Sequence, residues 1–274
     1  MSDAGDIRLL LSDVDGTLVR TDKVLTAASL AAVAALRAAG IGLALTSARP
    51  PRGLQMLVEP LGLTLPIAGF NGGLMVNPDL GVVEGHPLDP VIAGRTLDLL
   101  TSEGLGVWIY TEAELLVLDA HGPHVARETW ILQFEPTVVP AFTDIHLART
   151  FKIVGVSDDE ALVARVEKIA QDLLGTAVSA TRSASYFLDV THPLANKGAV
   201  VTALARRLNI SPEQVATIGD MPNDVLMFHQ SGFSIAMGNA SDDVKAQASA
   251  VTDSNDDDGF AKAVQRFLLR SDAA

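Results

Sequence analysis

The chain predicts an α/β fold: a doubly wound parallel sheet interrupted by an inserted α+β module. Three observations carry that prediction. Short apolar runs bounded by turn residues alternate with helical periodicity at both ends of the chain. Each of the first runs ends in small or acidic residues, as strands of an open parallel sheet do at their carboxyl edge. Between about Pro87 and Asp189 the rhythm changes to paired short strands with two helices.

The first run, Leu9-Leu10-Leu11, is too short for a helix and reads as a buried strand, which Gly16 ends by letting the backbone turn. An Ala-rich helix from Val24 to Leu36 follows, with Thr26 as its cap and Gly40 as its stop. Ile41–Leu45 is the second strand, and a helix runs from about Arg52 to Leu61. Pro66–Ala68 is a third strand, closed by Phe70-Asn71-Gly72-Gly73; Leu74–Val76 and Val82-Val83 pair around Asn77-Pro78-Asp79. The insert reads as a helix, strands at Val107–Tyr110 and Leu115–Leu118, and an irregular stretch with His121, His124 and Trp130. A strand at Phe151–Val156, a helix at Asp158–Leu173 and strands at Ala177–Thr181 and Tyr186–Val190 complete it. The α/β pattern then returns: helix Lys197–Leu208, strand Val215–Ile218, helix Asp224–Gln230 and strand Phe233–Met237. Gly238-Asn239-Ala240 stands at a helix start, Val251-Thr252 is a last strand, and Phe260–Leu269 is the closing helix. The expected division is 1–86 and 190–274 for the main unit and 87–189 for the insert.

Composition narrows the function. The 274 residues are 48% hydrophobic, enough for a sizeable core, and carry a net charge of -13. That sign disfavours nucleic acid and anionic membranes as partners. The absence of cysteine excludes a disulfide framework, a thiolate metal site and a cysteine nucleophile. The start, MSDAGDIRLL, has no basic region followed by an apolar core, and no apolar run is long enough to span a bilayer; a cytoplasmic location is expected.

Asp13 and Asp15 stand at the carboxyl end of the first strand, where open parallel sheets bind ligands. Taken alone, D-x-D-G is a turn. The whole string, LLLSDVDGTL, resembles the first motif of the haloacid dehalogenase superfamily, and three further resemblances follow in the family's order. Thr46-Ser47-Ala48-Arg49-Pro50 is similar to its second motif, with Ser47 as the hydroxyl and Thr46 as the alternative; Ala48 replaces the usual glycine. Lys197 is similar to the third. A cation at a helix start is disfavoured by the helix dipole, which points to an anion nearby. Gly219-Asp220-x-x-Asn223-Asp224 is similar to the fourth. Asn71-Gly72 and Met237-Gly238-Asn239-Ala240 are weaker landmarks.

The position of the insert, between the second and third motifs, is that of the class IIB, Cof-like phosphatases. The resemblance implies a Rossmann-like core under a cap, and a phosphatase that is Mg²⁺-dependent and acts on small phosphorylated metabolites. It implies Asp13 as nucleophile, forming an aspartyl-phosphate, and Asp15 as general acid and base with a raised pKa. Ser47 and Lys197 would stabilise the phosphoryl group. Asp13, Asp15 and Asp220 would hold the metal, Asp15 through its carbonyl, with Asn223 and Asp224 around them. Gly16, Arg49, Asn71, Gly72 and Asn223 are the expected phosphate or substrate contacts. A phosphomutase or phosphotransferase would use the same motifs, and a non-catalytic magnesium or phosphate-binding module would keep the fold without needing Asp15. Neither the metabolite nor the choice between monomer and homodimer is legible. In the insert, His121 and His124 lack a third ligand for zinc, Trp130 reads as core, and Arg182 could reach an anionic substrate.

Overall fold

A computed structural model describes residues 6–269. In chain order the first elements are β1 (Leu9–Ser12), α1 (Ala27–Ala38), β2 (Gly42–Thr46), α2 (Gln55–Leu61), β3 (Ile67–Gly69), β4 (Leu74–Val76) and β5 (Val82–Gly85). Next come α3 (Pro90–Ser102), β6 (Gly106–Tyr110), β7 (Leu115–Val117), α4 (Val125–Leu132), β8 (Thr137–Val138), α5 (Asp144–Leu147) and β9 (Lys152–Val156). Then follow α6 (Glu160–Leu174), β10 (Ser179–Ala184), β11 (Phe187–Thr191), α7 (Lys197–Leu208) and β12 (Val215–Gly219). The last are α8 (Val225–Gln230), β13 (Phe233–Ala236), α9 (Asp242–Lys245), β14 (Ala250–Val251) and α10 (Gly259–Ala263).

The larger sheet has the order β14-β13-β12-β1-β2-β3-β4-β5. It is parallel from β14 to β3, with β4 and β5 antiparallel. Strand β1 is central and wholly buried. Its alternation explains why it is apolar throughout: Leu9 and Leu11 enter the cluster with Val200, Val201 and Leu204 of α7, and Leu10 enters the cluster with Val33 and Leu36 of α1. The chain winds outward from β1 through β2 and β3, then resumes on the other side at β12. The winding therefore reverses between β1 and β12, the crevice where such sheets bind ligands. Ser12 is level with Ile218, so Asp13 and Asp220 emerge at one edge.

The second sheet, β10-β11-β9-β6-β7-β8, belongs to the insert and is antiparallel except for β7 with β8. One face packs on α3 and α6 through Val107, Ile109, Ile153, Leu188 and Val190. The other face turns to the parallel sheet's unit: Trp108, Tyr110, Val154 and Val156 share a cluster with Leu54 and Phe70. Phe70 meets Tyr110 edge-on at 5.8 Å and stacks on Phe151 at 6.0 Å. The chain leaves the larger sheet after β5 and returns after β11, where His86 and His192 stack at 5.5 Å.

Three segments depart from expectation. The stretch around His124 and Trp130 is not irregular but holds α4 and α5; His124 opens α4 with φ at 63° and no side-chain cap, so the usual start signal is missing. Gly238-Asn239-Ala240 does not begin a helix; α9 starts at Asp242, capped by Ser241. The closing helix is not continuous: α10 ends at Ala263 and a wider turn spans Val264–Leu268. Among the described residues no helix is long and apolar enough to cross a membrane.

Candidate active site

The site forms where four chain segments end together. Asp13 follows β1, and its amide is fixed to the Ile218 carbonyl of β12 at 3.0 Å. Asp220 follows β12, and Asp224 precedes α8. Lys197 is the first residue of α7, whose cap Asn196 accepts from the Ala199 amide at 2.9 Å. The Lys197 ammonium, 1% exposed, donates to Asp13 Oδ1 and to Asp224 Oδ1, each at 2.6 Å. Asp224 Oδ2 accepts the amides of Asp220 and Met221, both at 2.9 Å. Asp220 accepts from Thr17 Oγ1 at 3.1 Å and from Asn239 Nδ2 at 3.1 Å. The lysine with no evident reason to open a helix thus faces two carboxylates, the anion its position called for.

Ligand oxygens of Asp13, Asp220 and Asp224 lie within 4.8 Å of one another. Three buried carboxylates share one ammonium, and their protonation shows the imbalance. Burial pushes the Asp13 carboxyl well up, the nearby Asp224 and Asp220 add to this, and Lys197 opposes it. Asp220 is pushed up to about 6, by burial first and then by Asp224. Lys197 goes up against its burial, held charged by Asp13 and Asp224. A hard divalent cation would relieve this excess, and an all-oxygen donor set suits magnesium. Gly16 makes room for the Asp220 carboxylate: at φ 78° its backbone passes so close that a Cβ would stand 2.3 Å from Asp220 Oδ2.

Asp15 differs from expectation. Its carboxylate is clamped by Arg49, Nε to Oδ2 at 2.7 Å and Nη2 to Oδ1 at 2.5 Å, and accepts from Lys23 Nζ at 2.7 Å. Although burial pushes this carboxyl up, the bonds and charges of Arg49 and then Lys23 bring it below the ordinary value, the reverse of the raised pKa expected. Arg49 is occupied accordingly. Its Nη1 donates to the Ile131 carbonyl of α4 at 3.0 Å, so it joins Asp15 to the insert and does not line the cavity beside Asp13.

That cavity, about 490 Å³, is lined by Asp13, Asp15, Ser47, Asn71, Lys197 and Asn223 from the larger unit. Ser47 faces it and Thr46 does not; the Thr46 hydroxyl is buried with no partner among the described residues. Asn223 Nδ2 donates to Asn71 Oδ1 at 3.0 Å, tying two expected contacts together. Gly16 and Gly72 stand behind the wall; Gly72, at φ 99°, lets the Asn196 carbonyl approach. Asp15 also forms a bridge with Val19.

The insert supplies residues that motif reading missed. Asp189 and Thr191 of β11 and Ser179, Thr181 and Ser183 of β10 line the same cavity. Lys152, at the start of β9, donates to Asp189 Oδ2 and to the Ala48 carbonyl, each at 3.3 Å. The available signal was a lone charge within each apolar strand, KIVGV and FLDVT. Arg182 does line the cavity, and its Nε donates to Glu167 at 2.8 Å. Among the described residues His121 and His124 join no cluster of three metal-ligating side chains; His124 Nε2 lies 2.9 Å from Asp158 and its ring stacks on Tyr186. Trp130 is half exposed rather than core, although Leu132 two residues on in α4 is buried.

A family model described as haloacid dehalogenase-like hydrolase matches residues 10–264. A phosphatase of Bacillus subtilis (strain 168) is 28% identical over 295 residues, covering 96% of this chain and 100% of that one. A pyridoxal phosphate phosphatase of Escherichia coli (strain K12) is 26% identical over 271 residues, covering 96% and 99%. The crystal structure of a haloacid dehalogenase-like hydrolase from Bacteroides thetaiotaomicron superposes with a TM-score of 0.87 at 26% identity, covering 95% of this chain and 99% of that one.

Proposed function

Taking as premise that this chain belongs to the haloacid dehalogenase-like hydrolases and is a phosphatase, we propose that it hydrolyses small phosphorylated metabolites through an aspartyl-phosphate on Asp13, with Mg²⁺ as cofactor. The observation that supports this most is the buried ammonium of Lys197 between Asp13 and Asp224 at the wall of the cavity. The unit of the larger sheet acts as the catalytic core and the insert, with β11 to its end at Thr191, as the cap over it.

Asp13 attacks phosphorus, and the bond from phosphorus to the leaving oxygen breaks. Lys197 and the Ser47 hydroxyl bind the non-bridging oxygens, where charge collects in the transition state. Asp13, Asp220 and the Asp15 carbonyl would hold Mg²⁺, which supplies charge neutralisation between carboxylate and phosphoryl oxygens. Asp224 acts through others: it fixes Lys197 and the turn bearing Asp220. Asp15 protonates the leaving oxygen and later takes a proton from the water that opens the acyl phosphate. With Arg49 and Lys23 on it, Asp15 has the charge state for the second task; the first requires its carboxyl to leave Arg49. Since Arg49 also grips α4 of the cap, cap position and Asp15 protonation are coupled.

The test is release of inorganic phosphate from a panel of phosphate monoesters. Release should need Mg²⁺ and stop in excess chelator. Asp13→Asn should abolish both release and covalent labelling, whereas Asp15→Asn should slow turnover by about 10² to 10⁴. Near wild-type turnover in Asp13→Asn would overturn the assignment of the nucleophile.

A further inference from the structure

The cap side of the cavity has a chemistry of its own. In the pairing of β10 with β11, Ser179 lies opposite Thr191 and Thr181 opposite Asp189. Residues directly opposite share a face, so a patch of hydroxyls surrounds one carboxylate, and Ser183 completes it along β10. Asp189 is 4% exposed. Its Oδ2 takes the hydrogen bond from Lys152, while its Oδ1 is buried with no partner among the described residues. Lys152 is held on further sides, 4.7 Å over the Tyr110 ring and bonded to the Ala48 carbonyl beside Ser47.

A buried ion pair is a poor source of stability, and a buried acceptor left unbonded costs free energy. An arrangement that carries both makes sense when a ligand completes it. The unbonded oxygen accepts only, so the ligand must present a donor there. Lys152 already balances the charge, so a neutral hydroxyl satisfies Oδ1 and a cation is not required. The neighbouring serine and threonine hydroxyls can donate or accept, as further hydroxyls on one ligand need. Among the described residues no aromatic side chain lines the cavity, so a planar ring would find no aromatic face there; the flat guanidinium of Arg182 is already bonded to Glu167.

We propose that Asp189 selects the leaving group, accepting a hydrogen bond at Oδ1 from a hydroxyl of an aliphatic polyol. The preferred substrates are then phosphate monoesters of hydroxylated aliphatic alcohols, not of planar heteroaromatic ones. This rests on the reading of the cavity as a phosphatase site. Serine, threonine and Asp189 from the cap read the alcohol while Asp13 and Lys197 handle the phosphoryl group.

The test compares kcat/KM for D-sorbitol 6-phosphate, n-hexyl phosphate, pyridoxal 5′-phosphate and p-nitrophenyl phosphate in wild type and Asp189→Asn. Sorbitol phosphate should exceed its carbon-matched hexyl partner by about 10² or more, the discrimination expected when a site built for hydroxyls meets an analogue without them. In Asp189→Asn, Lys152 claims the amide oxygen and turns the NH₂ into the cavity, a donor where an acceptor stood. The sorbitol-to-hexyl ratio should fall at least about tenfold, mainly through KM. A wild-type ratio near one, better turnover of pyridoxal phosphate, or an equal loss on both esters in the variant would overturn the assignment of Asp189. Inactivity of the wild type on all four esters would instead overturn the phosphatase reading, and this inference with it.

Discussion

Asp220 and Lys197 make the site's energetics measurable residue by residue. Asp220, pushed up to about 6 by burial and by Asp224, holds a proton in the folded chain that the unfolded chain has already lost. Between its ordinary value of 3.8 and 6 this group makes stability fall as pH rises. Mg²⁺ held as proposed would displace that proton, so its stabilisation should be slight near about pH 4.5 and grow as pH rises past about 6. Thermal unfolding with Mg²⁺ and with chelator, across pH, reads this directly; an equal rise in Tm at both ends would refute it. Lys197→Met leaves Asp13 and Asp224 buried without their cation, which should cost about 3–5 kcal/mol in the metal-free protein. It should also slow turnover by roughly 10² to 10³ and weaken vanadate inhibition. Lys197→Arg should not restore either, because a planar fork does not fit between two carboxylates that each take a compact ammonium at 2.6 Å. Equal vanadate inhibition in all three proteins would remove Lys197 from the phosphoryl site.

Helix α7 carries that lysine, and its first turn is therefore part of the site. Asn196→Ala removes the acceptor for the Ala199 amide and should cost about 1 kcal/mol, while Asn196→Asp should keep most of it. Urea unfolding separates the two, and matching midpoints would show that the cap does not matter. Elements of this kind were legible because their signals are local. D-x-D-G-T after an apolar run, Asn196 before Lys197, and Thr26 three residues before Ser29 are short strings with short-range causes. The bidentate hold of Arg49 on Asp15 was not, because its cause lies across two strands and reaches into α4. Nor was the cap's share of the cavity. Asp189 and Lys152 are 37 residues apart, and only the register of β9 with β11 brings them together. Helix α4 escaped notice because a positive φ at His124, not a capping side chain, starts it.

At the scale of the molecule, core and cap are joined through a shared apolar cluster as well as polar ties. Deleting residues 87–189 leaves Asp13, Lys197, Asp220 and Asp224 in place but uncovers Phe70 and Leu54, both fully buried here. The shortened chain should still hydrolyse acetyl phosphate, with loss of selectivity among metabolites and a lowered Tm. Each uncovered side chain is worth about 1.5–3 kcal/mol of burial. A folded, Mg²⁺-binding core with no activity toward any small ester would show that the cap contributes a catalytic group.

The stacked pair at His86 and His192 brings the two ends of the insert side by side. This bears on how the chain reaches its fold during synthesis. Strand β1 must pair with β12, which emerges from the ribosome about two hundred residues later, so a long stretch of chain separates the partners and one side of β1 waits open. An insert that folds early draws its own ends together and turns that stretch into a short effective loop, lowering the entropic cost of closing it. The module that covers the cavity in the finished protein then serves first as a clamp on the nascent chain, and mutations that loosen it should slow refolding of the distant parallel sheet.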